Sequence, residues 1–240
     1  MARRLTVMNR KRLRRLLGLF RKVRLCPLCG WRGFRFEPFG NRAVYREDAG
    51  CPICGSLERH RAAFLLLKGR IPSGQKVLHV APEPLMIPWL VSLSCEYLNV
   101  DLQHPAMRRM DLTNIDLPDC SKTLVWCSHV LEHITDDRKA LSEIFRVLAP
   151  GGLLVLQVPI GGDETFEDPK MVSDADRLEN FLQEDHVRLY GRDFTKRLEE
   201  AGFDCEMLST ASLSDSDQSL YALKHPVYRE VFVCRRPTTT

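Results

Sequence analysis

Two rhythms of apolar residues alternate along most of this chain. Four short segments read as strands with apolar centres: Lys76–Ala81 (KVLHVA), Glu96–Asp101 (EYLNVD), Thr123–Ser128 (TLVWCS) and Leu153–Val158 (LLVLQV). Strands of a parallel sheet covered on both faces have this pattern, because neither face meets water. Between them the spacing turns helical. Asp137–Leu148 puts Ala140, Leu141, Ile144, Phe145 and Leu148 on one side, Leu85–Leu93 is a weaker helix containing Pro88, and Asp193–Ala201 reads as a helix ended by Gly202. Cys205–Ser209 and Val227–Cys234 read as two closing strands, with residues 211–219 (ASLSDSDQS) as a polar loop. Short strands alternating with helices predict a doubly wound α/β sheet.

Upstream the pattern differs. In residues 9–24, Leu13, Leu16, Leu17, Phe20 and Val23 stand at helical spacing among Arg and Lys, predicting a basic amphipathic helix. Residues 56–69 read as a second helix, with Ser56 as N-cap and Phe64, Leu65 and Leu67 on its apolar side. The turn Ile71-Pro72-Ser73-Gly74 marks a boundary. The predicted division is a basic arm at 1–24, a cysteine module with its connecting helix at 25–73, and an α/β domain at 74–236.

The net charge of +4 conceals an asymmetry. Ten Lys or Arg and no acid fall within residues 1–24, leaving 25 bases against 31 acids in the rest. Such an arm suits phosphate or anionic lipid, or equally a helix that docks its apolar stripe and solvates its charges. Apolar residues make up 44% of the chain and charged ones 28%, which excludes a disordered or collagenous protein. No apolar run approaches the roughly 18–20 residues of a membrane span, and the basic start has no continuous apolar segment of the secretory kind. A soluble, cytoplasmic protein is expected.

Four of the nine cysteines form two pairs, Cys26-Pro-Leu-Cys29-Gly30 and Cys51-Pro-Ile-Cys54-Gly55. Two thiolates separated by two residues can face one ion, and two such knuckles make a tetrahedral zinc site with no position left for water, hence structural. Folding of so small a module is expected to be coupled to the metal. The intervening residues can form a hairpin through Arg32–Phe36. Cys95, Cys120, Cys127, Cys205 and Cys234 are read as small buried hydrophobes.

Ligands of doubly wound sheets bind beyond the carboxyl ends of the strands. The informative residues are therefore Ala81-Pro82-Glu83-Pro84, then Asp101, which lies 20 residues after Ala81, as an acid bonding a ribose diol would. Asp111-Leu112, then Ser128, His129, Glu132 and His133, and then Pro159–Gly162 follow. Neither G-x-G-x-x-G nor G-x-x-x-x-G-K-[ST] is present, which argues against a dinucleotide or a phosphate donor. Asp101 and Asp111 can instead be turn residues, His133 can pack locally, and His79 reads as a hydrogen-bonded core histidine.

The segment Trp126–Val158 (WCSHVLEHITDDRKALSEIFRVLAPGGLLVLQV) resembles the class I S-adenosylmethionine-dependent methyltransferases of the broad small-molecule type. The stretches His186–Tyr190, Asp193-Phe194 and Glu200–Phe203 are similar to that family as well, and the likeness runs from about residue 74 to 234. The knuckles followed by Gly55–Arg61 resemble a bacterial subgroup with an N-terminal zinc ribbon, whose first strand ends in H-x-A-P-E. Other members of the family have an acid at the place of His79 and glycines near Ala81 and Glu83. The resemblance implies a Rossmann-like, seven-stranded sheet with its last strand antiparallel. It further implies that Ala81 and Glu83 border the methionine part of S-adenosylmethionine and that Asp101 holds the ribose hydroxyls. Asp111 and Leu112 would take the adenine edge, with Leu102 packing on the ring and Ser128 and His129 facing the sulfonium.

The expected reaction is methyl transfer to an O or N nucleophile of a small molecule or glycan. A hydroxyl acceptor needs a base, for which His186, His129 and His133 are the candidates. The acidic loop 162–176 is expected to act as a lid. One alternative is an RNA methyltransferase in which the ribbon, the arm and the aromatics Trp31, Phe34, Phe36 and Tyr45 grip RNA. Another is a non-catalytic binding module. Contact of the basic arm with an anionic membrane is a further expectation.

Overall fold

The computed structural model describes residues 23–238, so the helix expected within the basic arm lies outside the described residues. The centre is a seven-stranded sheet. Its strands are β5 (Gln75–Val80), β6 (Ser94–Asp101), β7 (Arg108–Arg109), β8 (Lys122–Ser128), β9 (Leu148–Gln157), β12 (Asp204–Ser209) and β13 (Glu230–Arg235), in the order β12-β13-β9-β8-β5-β6-β7. β5, β6, β7, β8 and β9 pair in parallel, whereas β13 runs antiparallel to both β9 and β12. The seven strands and the antiparallel last one agree with the expectation. Chain order reverses between β5 and β8, and that is where the ends of two neighbouring crossovers part.

Alternation along the strands sorts the core onto two faces. Leu78, Val125, Leu154 and Leu156 pack with Ala140, Leu141 and Ile144 of helix α3 (Asp137–Val147) and with Phe194 and Leu198 of helix α5 (Phe194–Glu200). Val77, Leu124, Trp126 and Val155 face the other way, onto Leu90 of helix α2 (Ile87–Leu93) and Ala63 and Leu67 of helix α1 (Glu58–Leu67). Pro88 stands in the first turn of α2, where its missing N–H costs nothing. Helix α1 thus covers part of the sheet, although in sequence it follows directly on the cysteine pairs.

The knuckle module contains β1 (Arg24–Leu25) paired with β2 (Arg32–Gly33), and β3 (Glu37–Phe39) paired with β4 (Arg46–Gly50). The hairpin between the cysteine pairs is therefore 37–50, not 32–36. Other departures from expectation have local causes. Ser56 does not cap α1: its hydroxyl lies 3.1 Å from Cys26 Sγ, and His60 Nδ1 accepts from Leu57 N–H at 2.9 Å instead. Within 211–219, Ser214 accepts from Asp217 N–H and starts helix α6 (Asp215–Leu220). Cys127 and Cys234 are buried as expected, but Cys95 and Cys120 are exposed. Phe36 is buried under Trp31 and Arg61, so it offers no ring to a ligand, whereas Phe34 and Tyr45 are exposed. Among the described residues no helix is long and apolar enough to cross a membrane.

Candidate active site

A cleft of about 360 Å³ opens at the strand tips. Ala81 and His129, each the first residue after its strand, form its inner end, and both hold left-handed backbone conformations (φ 46° and 55°). Non-glycine residues there are strained, and strain of this kind persists where the surroundings enforce it. The enforcing bonds are Ala81 N–H to Val100 O and His129 N–H to Gln157 O, both 2.8 Å. One wall carries Asp101, Leu102, Met110, Asp111 and Leu112; the other carries Val130, His133, Ile134 and Asp185.

Asp101 ends β6 and shapes its own turn, since Oδ1 accepts from Gln103 and His104 N–H, each at 2.7 Å. Oδ2 is left for the cleft. Asp111 does the same, with Oδ1 taking the Thr113 amide and hydroxyl at 2.8 Å. Both residues are thus turn formers and cleft residues at once. With Asp185 they give the cleft three carboxylates beside the apolar Leu102, Met110 and Leu112. A flat ring bearing a ribose diol and a positive charge fits that combination.

Ser128 and Glu83 do not line this cleft. Ser128 is buried, its Oγ 3.4 Å from Gln157 Oε1. Glu83 turns back to α1, where Oε1 meets His60 Nε2 at 2.6 Å and Arg59 Nε at 3.3 Å. Because His60 Nδ1 accepts from Leu57, its proton sits on Nε2 and is donated to Glu83. Burial and the nearby Arg59 charge hold His60 below its ordinary pKa, so the ring stays neutral despite the carboxylate. Burial alone would raise Glu83, but the His60 hydrogen bond and the Arg59 charge bring it down to about 2. His79 is buried, with Nδ1 2.8 Å from the Tyr97 hydroxyl, and burial lowers it to about 4.

His129 Nδ1 stands 3.0 Å from Glu132 Oε1. Burial lowers the histidine, and burial of Glu132 is outweighed by its hydrogen bond from His129, which lowers the acid too. A neutral imidazole facing an ionised carboxylate must donate from Nδ1, which leaves the Nε2 lone pair as a base. On the far side the His129 ring lies 5.7 Å from Tyr228. Tyr228 belongs to a second cavity of about 480 Å³, lined also by Phe39, Asn41, Val44 and Arg46 of the knuckle module and by Pro159, Gln183 and His186. His186 therefore faces the second cavity, and His129 and His133 the first. The loop expected to be a lid is tied down elsewhere: Glu167 binds Arg188 and Arg197 at 2.8 and 2.7 Å, and none of 162–176 lines the cleft. Met110 and Asp185 escaped sequence reasoning because neither follows a strand with a readable apolar run.

The four knuckle sulfurs converge, with Cys26–Cys54 and Cys29–Cys51 each 3.6 Å apart. Four bonds of about 2.3 Å to one tetrahedral ion would set neighbouring sulfurs about 3.8 Å apart. The two knuckles repeat one another. Gly30 N–H bonds Cys26 O and Gly55 N–H bonds Cys51 O, each 2.9 Å, with φ of 77° and 71° at the glycines. Burial raises Cys26, but Ser56 and the amides of Cys29 and Leu28 bring it down to about 7, while burial pushes Cys29 up to about 12. Four converging thiols on two matching turns are a donor set that fits a thiophilic divalent ion such as zinc.

Residues 72–156 match the family model described as a methyltransferase domain. A curated relative, a probable S-adenosylmethionine-dependent methyltransferase of Mycolicibacterium smegmatis, is 32% identical over 111 residues, which are 46% of this chain and 37% of the relative. The chain thus matches little more than a third of that relative's length. Among solved structures, an S-adenosylmethionine-dependent methyltransferase from Mesorhizobium loti aligns with a TM-score of 0.51 at 18% identity, over 73% of this chain and 98% of the other. The cyclase SpnF aligns at 0.50 and 14% identity, over 87% and 89%. At such identities the likeness is one of fold, and a cyclase among the neighbours underlines that the fold does not fix the reaction.

Proposed function

We propose, on the premise that residues 72–156 are a methyltransferase domain of the class I S-adenosylmethionine-dependent kind, that this protein methylates an oxygen or nitrogen of a small molecule or glycan seated in the second cavity. One observation carries the reading: His129 of the carboxylate-lined cleft lies 5.7 Å from Tyr228 of the second cavity, which the knuckle module helps to wall. S-adenosylmethionine, when bound, supplies a methyl group on a positively charged sulfur. Asp101 would take the ribose hydroxyls, Asp111 and Leu112 the adenine edge, and Leu102 and Met110 its faces. Alignment of acceptor and donor by the two cavities supplies much of the rate. For a hydroxyl acceptor, His129 takes the proton on Nε2, while Glu132 fixes its tautomer and steadies the resulting charge. His129 is favoured over His186 because it lines the donor cleft, whereas His186 lines only the second cavity. Zn2+ held by Cys26, Cys29, Cys51 and Cys54 would fix the knuckles that wall the acceptor cavity.

S-adenosylhomocysteine is expected to raise the melting temperature, and Asp101→Ala to weaken its binding about tenfold to hundredfold, the worth of ~1.5–3 kcal/mol for a charged hydrogen bond. Incubating the protein with labelled donor and a cell extract should label the small-molecule or glycan fraction. Label confined to RNA or protein, or no thermal response to S-adenosylhomocysteine, would sink the proposal.

A further inference from the structure

Among the described residues a second group of metal-ligating side chains converges apart from the cysteines: one donor atom each of Glu132, His133 and His186 lies within 4.8 Å of the others. Each also has a neighbour on one of its two donor atoms. His186 Nδ1 donates to Phe181 O at 2.7 Å, which leaves the Nε2 lone pair unused. His133 Nδ1 stands 3.1 Å from Asp185 Oδ2, which leaves its Nε2. Glu132 gives Oε1 to His129, and its Oε2 is buried with no hydrogen-bond partner, in a side chain 0% exposed. An isolated buried carboxylate oxygen is costly, and nothing in the fold explains this one. Metal-bound histidines characteristically donate their other nitrogen to a carbonyl or a carboxylate, as His186 does to Phe181 O, and Asp185 stands beside His133 Nδ1.

We propose that Glu132, His133 and His186 form a binding site for a divalent first-row cation at the junction of the two cavities. Two imidazoles and one carboxylate suit Zn2+, Mn2+ or Fe2+ better than Mg2+ or Ca2+, which prefer all-oxygen sets. Donor separations would be about 3.3 Å in a tetrahedral site with bonds near 2.0 Å, against separations of up to 4.8 Å here. Three protein ligands leave the ion open positions, and its neighbours define where they point. His133 and Asp185 line the donor cleft, and His186 lines the acceptor cavity. An acceptor oxygen is the ligand that would fill them.

The role, unlike the site, rests on the methyltransferase reading. An alcohol or phenol bound through oxygen to the ion is more acidic and passes its proton to His129 Nε2. The oxygen lone pair then forms the bond to the methyl carbon as the carbon–sulfur bond breaks. The bonding pair stays on sulfur, which becomes a neutral thioether. The substrate class this favours is a small molecule with a hydroxyl, above all one with a second oxygen placed to chelate.

Cobalt distinguishes the two metal sites. Co2+ bound by the knuckles shows thiolate-to-cobalt charge transfer in the near ultraviolet, whereas Co2+ on nitrogen and oxygen shows only ligand-field bands. Titrating the full chain should give one equivalent without charge transfer. Glu132→Gln and His186→Gln should each lose it, and so should His133→Ala, whose half-buried ring makes it the variant least at risk of misfolding. A wild type binding cobalt through thiolates alone, or folded variants that all keep the extra equivalent, would overturn the site. The thermal response to S-adenosylhomocysteine, measured on the same samples, tests the donor reading separately. Its absence sinks that reading and leaves the cobalt count standing.

Discussion

The Glu83 carboxylate takes both its partners, Arg59 and His60, from α1 rather than from its own loop. Held at about 2 in the fold against an ordinary 4.5, it contributes stability that is complete above 4.5 and lost as the pH falls through about 2. The difference in urea midpoint between the wild type and Glu83→Gln should therefore be constant above about pH 5.5 and shrink steadily towards pH 2. A difference that grows on acidification would refute the ion pair as its source. Asp101 was legible in the sequence because strand length and the spacing from Ala81 place it. The orientation of Glu83 was not, because His60 lies 23 residues upstream and no local pattern reveals a contact made by packing a helix on a sheet. Glu132 was legible from its place after a strand, but its burial was not, because it depends on the return of residues 181–190.

At the scale of elements, α3 begins with a buried charge. Asp137 accepts from the Tyr190 hydroxyl at 2.6 Å and from Arg197 at 2.7 Å, with Arg188 at 3.7 Å. The helix start is thereby joined to β11 (Tyr190–Gly191) and α5. Asp137→Ala leaves Arg188 and Arg197 short of a buried partner and should cost ~3–5 kcal/mol in chemical denaturation. A loss below about 1 kcal/mol would mean that water replaces the carboxylate. The long strands and α3 were readable because burial on both faces, or along one stripe, writes itself into apolar spacing. Two-residue strands such as β7 and β11 are too short to carry any period. α6, polar on every exposed position, reads as a loop until its serine cap is seen.

For the molecule as a whole, the knuckles are joined to the α/β half by α1, and on the proposed function metal and donor should therefore be coupled. Stripping metal with a chelator under reducing conditions should lower the melting temperature by about 10 °C or more. It should also weaken S-adenosylhomocysteine binding several-fold, because the Ala81–Pro84 loop then loses the anchors of Glu83. Equal donor affinity with and without metal would show the two halves to be independent. The buried Arg61 extends this union to the far end of the sequence. Its guanidinium donates to Ala49 O and Ser56 O on one side and to Tyr221 O on the other, at 2.8, 2.5 and 2.8 Å, and it lies 4.0 Å over Phe36. On a ribosome the first of these carbonyls emerges some 170 residues before the last. Until Tyr221 has been made, the amino-terminal module holds Arg61 with only part of its carbonyl partners, so in a nascent chain its final packing follows the synthesis of the α/β domain.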